Sequence, residues 1–248
     1  MAEHPYTVLS CCMSLDGYLG SGTEQRLMLS NGADFDRIDS VRASCDAILV
    51  GAATVRNDNP RLLIRSLQRR DLRVRRGLAP SPIKVTVTST AQLDPCAHFF
   101  TAGVSEKLVY CPTTAVAAAR SRLGSGATVI DGGRQVEMCR LSSDLHARGV
   151  ERLMVEGGGA VLTQFLTAGL ADELHLAVAP FFVGDSQARR FVGDGRFPWN
   201  QDSRASLAEV RQVGDIVLMR YALSARFQMA AGTSMVATGA HHRVHPVR

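Results

Sequence analysis

Lysine is almost missing from this chain. Only Lys84 and Lys107 occur among 28 basic residues, so the other 26 are arginine. Arginine forks onto phosphate and carboxylate groups, and with a net charge of +5 this points first to a small anionic ligand. A basic chain also raises nucleic acid as a partner. Aromatic residues are scarce, however, at 6%. The densest basic run, "RSLQRRDLRVRRG" (65–77), holds none of them. That run reads as a solvated loop rather than a platform for stacking bases, so no nucleic-acid partner is expected.

Paired cysteines are missing too. The six cysteines form no C-x-x-C, and no Cys/His group has zinc spacing, which excludes a redox pair and a structural zinc. They read as reduced, small hydrophobes. Three histidines lie in the final "HHRVHPVR", but Arg243 and Pro246 interrupt them and no carboxylate is near, so no metal is expected. No apolar run approaches the roughly 18 residues of a membrane span. The opening "MAEHPYTVLSCC" lacks the basic-then-apolar pattern of a secretory signal. The expectation is a cytoplasmic protein with no membrane partner.

What is present is alternation. Strand-like runs at 7–13, 47–51, 83–89, 107–112, 127–133, 151–158, 172–180 and 215–223 are interleaved with helical patterns within 31–46, 115–123, 136–149 and 160–170. "AATVRND" (52–58) reads as a short helix or turn, ended by Asn59-Pro60. "AILVG" is continuously apolar, as a strand covered on both faces should be. The pattern predicts an α/β fold: a mostly parallel twisted sheet with helices on both faces. The strands from 172 onward lack intervening helices, which predicts an antiparallel edge. One domain is expected over 1–224, followed by a basic, frayed tail at 225–248.

Ligands of open α/β sheets sit at the carboxyl ends of strands. Four segments end conspicuously there: "LVGAATVRNDNP", "VTVTST", "IDGG" and "LMVEGGGAVL". In the last, Gly157-Gly158-Gly159 lies between a strand and a helix. The start of a helix with its free amides is an anion site, and absent Cβ atoms let a phosphate approach. A tight turn with close helix–strand packing is the alternative. The run is neither a dinucleotide G-x-G-x-x-G in its usual early place nor a G-K-[ST] phosphate loop. Glu156 precedes it at the end of a buried strand, where a carboxylate is costly unless bonded or used. Asp58 lies in the turn-forming "NDNP". Thr54 and Ser89 are hydroxyls at strand ends. With no hydrolase elbow, metal cluster or cysteine pair, a phosphate cradle fits a cofactor that brings its own reactivity, such as a nicotinamide.

Three blocks in this order, "MSLDG", "VRASCDAILVGAATVRNDNPRLLIR" and "VEGGGAVLTQFLTAGLADELHLAVAPFFVG", resemble the reductase domain of the riboflavin-biosynthesis deaminase–reductase family over about residues 5–223. The H-x-E and P-C-x-x-C of the deaminase half are absent, so the chain resembles a stand-alone reductase. The resemblance implies a dihydrofolate-reductase-like fold, NADPH as cofactor, and a homodimer, for which "HLAVAP" and "DIVLMRYAL" are candidate pairing segments. It implies reduction of 5-amino-6-(5-phosphoribosylamino)uracil to the ribityl compound by hydride transfer to ribose C1′. Carried over by motif, Gly158, Gly159, Ala160, Val161 and Leu162 hold the cofactor's phosphates. Gly51, Thr54, Asp58, Ser89 and Thr90 line the cofactor site, the last pair of hydroxyls near the 2′-phosphate. Arg42, Leu62, Arg65 and Glu156 match substrate positions, with Arg42 and Arg65 suited to the 5-phosphate. Asp58 and Glu156 are the ionisable candidates for the proton step, Asp58 as catalytic helper and Glu156 holding the pyrimidine.

The family often carries S-x-W-[IL]-[ST] after the first loop. Here "QRLMLSN" places Arg26 and Met28 at the Ser and Trp positions, and Thr88 stands where Asp often ends a strand. Both departures border the ligand clefts and leave room for another pterin-like substrate, such as dihydrofolate. Against that reading, dihydrofolate reductases keep an early Trp and an acid in the first helix facing the pterin. The only Trp here is Trp199. A nucleotide-binding regulator without turnover is the reading from another class.

Overall fold

The computed structural model describes residues 3–21 and 27–227. Nine strands form one sheet in the order β5-β4-β3-β2-β6-β1-β7-β9-β8. Seven are parallel: β1 (Tyr6–Ser14), β2 (Ala47–Gly51), β3 (Ile83–Val87), β4 (Lys107–Cys111), β5 (Thr128–Asp131), β6 (Arg152–Gly157) and β7 (Glu173–Ala179). β9 (Ile216–Ala222) runs antiparallel to β7, and β8 (Ser206–Val213) antiparallel to β9. The α/β class, the mostly parallel sheet and the antiparallel edge all match the expectation. The edge strand itself was not foreseen. "HLAVAP" and "DIVLMRYAL" fall on β7 and β9, which are paired on both sides, so neither is free to pair across a two-fold axis by its backbone.

Side chains alternate across the sheet with the strand period of two. Leu49, Val85, Leu153 and Val155 face one core, where α6 (Met138–Ala147) and α7 (Gly159–Thr167) contribute Leu141, Leu145, Leu162 and Phe165. Ile48, Val50, Val109 and Met154 face the other core. There Val55 of α2 (Ala52–Asp58), Phe99 of α4 (His98–Thr101) and Ala119 of α5 (Thr113–Leu123) pack against them, with Ile38 and Val41 of α1 (Gly32–Ala43) alongside. α1 starts at Asn31, whose side chain accepts from the Asp34 amide as an N-cap.

The arginine-rich run is not a solvated loop. Residues Leu67–Arg75 form α3, capped by Ser66. Arg73 is buried and donates to the carbonyls of Ala43, Cys45 and Ala79, while Arg69 pairs with Asp36 and Asp39. Arg69 and Arg73 of this run thus brace the fold. Of the expected tail, Ala225–Phe227 are described, and the Arg226 guanidinium lies 3.5 Å from the buried Asp172 carboxylate. The rest of the tail, with its histidines, lies outside the described residues, as does Arg26.

The chain runs outward from β2 to β5, then returns to insert β6 between β2 and β1. That reversal opens a crevice at the carboxyl ends of β1, β6 and β2.

Candidate active site

A cleft of about 700 Å³ occupies this crevice. Ser10, Cys11 and Cys12 of β1 line it together with Phe35 and Ile38 of α1, Thr54 and Asp58 of α2, and residues 156–159. The two most conspicuous segments of the sequence, "GAATVRNDNP" and "VEGGG", are therefore walls of one cavity. "IDGG" is not: Asp131 and Gly132 line a separate cleft of about 190 Å³ with Tyr110, Arg140 and Asp144. Burial pushes the Cys12 thiol up to about 11, so it presents a neutral S–H to the cleft.

Glu156 owes its place to an irregularity in β6. Leu49 of β2 pairs with Val155, but the next residue, Val50, pairs with Gly157. Glu156 is the extra residue of this bulge, a device that re-aims a side chain beside active sites. Its carboxylate is gripped by Arg42, with Nε donating to Oε1 at 2.5 Å and Nη2 to Oε2 at 2.6 Å. The third nitrogen, Nη1, donates to the Leu63 carbonyl at 3.1 Å. Burial pulls the Arg42 guanidinium down, but the charge and hydrogen bonds of Glu156 outweigh this and raise it. Arg42 was expected to meet the substrate's phosphate; instead it is occupied by Glu156 and the 62–63 turn. Leu62 is buried in the core with φ +49°, and does not line the cleft.

Arg65 is exposed, and its guanidinium lies 4.7 Å from the centre of the Phe35 ring at the cleft wall. Its amide is held by the buried Asp39 carboxylate. Asp58 is the last residue of α2, the short helix or turn read from "AATVRND", and is exposed and faces the cleft. Ser89 and Thr90 are exposed just beyond β3 but do not line the cleft.

The three glycines answer to three different demands. Gly157 has φ +126°, in open space. Gly158 has φ +41°, and a Cβ there would stand 3.1 Å from Thr54 Oγ1. At Gly159 a Cβ would sit 2.5 Å from the Arg190 carbonyl oxygen, so that glycine admits the chain itself rather than a ligand. Gly51 lets Val161 approach, a Cβ there lying 3.0 Å from Val161 Cγ2. The Val161 and Leu162 amides both donate to the Gly158 carbonyl, at 2.9 and 3.1 Å, and both side chains are in the core. Of the residues expected to hold phosphate, this leaves the first two amides of α7, at Gly159 and Ala160, pointing out of the helix start.

Residues 5–219 match the model of a family described as the RibD C-terminal domain. The chain belongs to the RibD C-terminal domain family. It is similar to the 2,5-diamino-6-ribosylamino-4(3H)-pyrimidinone 5′-phosphate reductase of Methanothermobacter thermautotrophicus, 34% identical over 226 residues that cover 88% of this chain and 97% of that protein. A reductase of the same description from Archaeoglobus fulgidus is 28% identical over 223 residues, covering 90% and 98%. Among solved structures, Acinetobacter baumannii RibD superposes with a TM-score of 0.73 at 24% identity over 88% of this chain, which spans 58% of the RibD chain. A pyrimidine reductase-like protein from Corynebacterium diphtheriae gives 0.73 at 21% identity, covering 88% and 91%. These neighbours share its fold, the mostly parallel α/β sheet with an antiparallel edge expected from the sequence. As a member of this RibD family, the chain is an oxidoreductase.

Sequence pattern missed several residues of the RibD-type cleft. Arg189 lines it from the segment between β7 and β8, and Arg56 from α2. Arg56 lies within the strand-end segment "LVGAATVRNDNP" but was not singled out there, and Arg189 stands in no periodic pattern or strand-end motif. Ser10 and Cys12 had been read only as part of a buried strand.

Proposed function

We propose that the chain is an NADPH-dependent reductase of riboflavin biosynthesis. It converts a 5-amino-6-(5-phosphoribosylamino)pyrimidine of the uracil type to its ribityl product. The observation that carries this reading is the meeting, in one crevice, of Thr54 and Asp58 with the Glu156 bulge and the glycine turn. The residues fit a dinucleotide phosphate on the structure's own terms: two left-handed glycines, a cradle that a Cβ at Gly158 would crowd, and two outward amides.

When bound, the nicotinamide supplies the hydride. The protein's part is to place the ribosyl C1′ and to handle a proton. Asp58, exposed to the cleft on α2, is the group we assign to the proton step. Glu156, with both oxygens engaged by Arg42, serves as an acceptor for the ring's N–H groups. Arg65, held over Phe35, is left to meet the 5-phosphate. Ser89 and Thr90, exposed hydroxyls just beyond β3, are the candidates for the cofactor's 2′-phosphate.

The relatives cited above are named for the 2,5-diaminopyrimidinone rather than the uracil ring. Purified protein and NADPH are therefore mixed in turn with both ring forms and with dihydrofolate, following nicotinamide absorbance. Turnover of either ribosylamino phosphate and not of dihydrofolate is expected; the reverse sinks the reading. The dihydrofolate alternative is weakened by Asp34, the buried acid early in α1. It binds Arg37 at 2.7 Å and does not line the cleft. Among the described residues no helix is long and apolar enough to cross a membrane. A cytoplasmic homodimer is part of the proposal, with the edge strand β8 and its exposed Leu207 and Val210 as the contact; sedimentation checks it.

A further inference from the structure

Residues 181–193 form a belt that joins the first loop to the start of α7. At one end Asp16, of "MSLDG", accepts from the Val183 amide at 3.0 Å and the Gly184 amide at 2.7 Å. Burial alone would raise the Asp16 carboxyl, but the Ser14 hydroxyl and these amides outweigh it and hold it at about 2. In the middle, the Leu19 amide donates to the Arg189 carbonyl at 2.7 Å, and the Phe191 amide to the Gly17 carbonyl at 3.0 Å. At the far end the Gly193 amide donates to Thr163 Oγ1 of α7 at 2.9 Å. The blocks "MSLDG", "APFFVG" and "VEGGG" are thus one connected structure.

Of this belt, only Arg189 lines the cleft. Its neighbour Arg190 places a carbonyl against Gly159, so Arg189 stands beside the first turn of α7. Of the other arginines near the cleft, Arg42 is paired with Glu156, Arg56 donates to the Gln92 carbonyl, and Arg65 stands over the Phe35 ring, where it is assigned to the 5-phosphate. Among the described residues the Arg189 guanidinium has no hydrogen-bond or ion-pair partner. An arginine that lines the same cleft as the start of α7, one residue from the carbonyl that meets Gly159, is suited to bridging phosphate oxygens.

We propose that Arg189 binds the pyrophosphate of the dinucleotide cofactor, and that Asp16 positions it through the belt. The inference rests on the reductase reading above. The test is equilibrium titration of NADPH and NADH by nicotinamide fluorescence, without substrate, alongside steady-state KM values. Arg189→Ala should weaken both dinucleotides by a similar factor of about ten, and leave the KM of the ribosylamino phosphate within about twofold. Arg189→Lys, which keeps charge and loses the fork, should fall between. Asp16→Asn should weaken NADPH less, and the double variant should bind no more weakly than Arg189→Ala, since both act through one group.

Unchanged NADPH binding in Arg189→Ala overturns the proposal while leaving the reductase reading intact. So does a rise confined to the substrate's KM, which would give Arg189 to the 5-phosphate, or a loss seen with NADPH but not NADH, which would give it to the 2′-phosphate. Additive losses in the double variant remove Asp16 from the proposal. Wild-type protein that binds no NADPH overturns the reductase reading itself, before any variant is made.

Discussion

Arg42 and Glu156 form a forked ion pair across 114 positions of sequence, with both side chains about seven-eighths buried. The pair ties α1 to the bulge of β6 and, through the Leu63 carbonyl, to the turn that leads to Arg65. Three of the five N–H groups of Arg42 are engaged in this way, and both Glu156 oxygens accept from it.

Removing one partner of such a pair strands the other charge. Arg42→Ala should cost on the order of 3 kcal/mol in urea unfolding. Arg42→Lys should cost less but still measurably, because a point charge cannot reproduce the fork. Arg42→Ala combined with Glu156→Gln should recover part of the loss. Strict additivity in that cycle would show that the two side chains are not coupled.

The two acids should separate kinetically. Asp58→Asn is expected to lower kcat by about 10²-fold or more while leaving NADPH binding within a few-fold, as loss of a proton-handling group does. Glu156→Gln is expected chiefly to raise the KM of the pyrimidine. The opposite pattern would exchange their roles.

Gly159 should not tolerate a methyl group. Its Cβ would meet the Arg190 carbonyl oxygen, a backbone atom that can move only with the belt. Gly159→Ala is predicted to cost about 1–3 kcal/mol and to weaken dinucleotide binding together with stability. Gly157→Ala meets open space but a φ of +126°, so its penalty is conformational. Melting temperatures and NADPH titrations of the two variants check this.

Lys84 gives a pH signature. It is buried in β3, donates to the carbonyls of Phe99 and Ala102 at 3.1 and 2.6 Å, and is pushed down to about 8 by burial, with Lys107 and Arg42 adding to the effect. Between pH 8 and the ordinary lysine value the unfolded chain binds the proton and the folded chain has released it. Stability from this group therefore rises with pH across that window. Lys84→Met should flatten the rise. An unchanged slope in denaturant titrations would assign it elsewhere.

The fold was legible because its strands are short apolar runs separated by helices of the right period. What escaped was structure made by polar residues. β8 reads "SLAEVRQV" and is mostly exposed, so it shows no buried face to recognise. α3 was hidden because Arg73 is buried for its hydrogen bonds, not for apolarity. In the site, Glu156 and Asp58 were visible as acids beside turns. The pairing of Glu156 with Arg42 was not, since nothing local marks a contact between helix and bulge. Arg189 escaped for the same reason: its position depends on a belt anchored by Asp16 at one end and Thr163 at the other.

The most direct measurement follows the transferred atom. NADPH carrying deuterium at both C4 positions of the nicotinamide is incubated with the protein and the ribosylamino pyrimidine phosphate, and the product is examined by mass and by NMR. The account predicts a ribityl product with one deuterium at C1′ for each NADPH oxidised. NADPH oxidation without deuterium at C1′, or no reaction with either ring form, would contradict it.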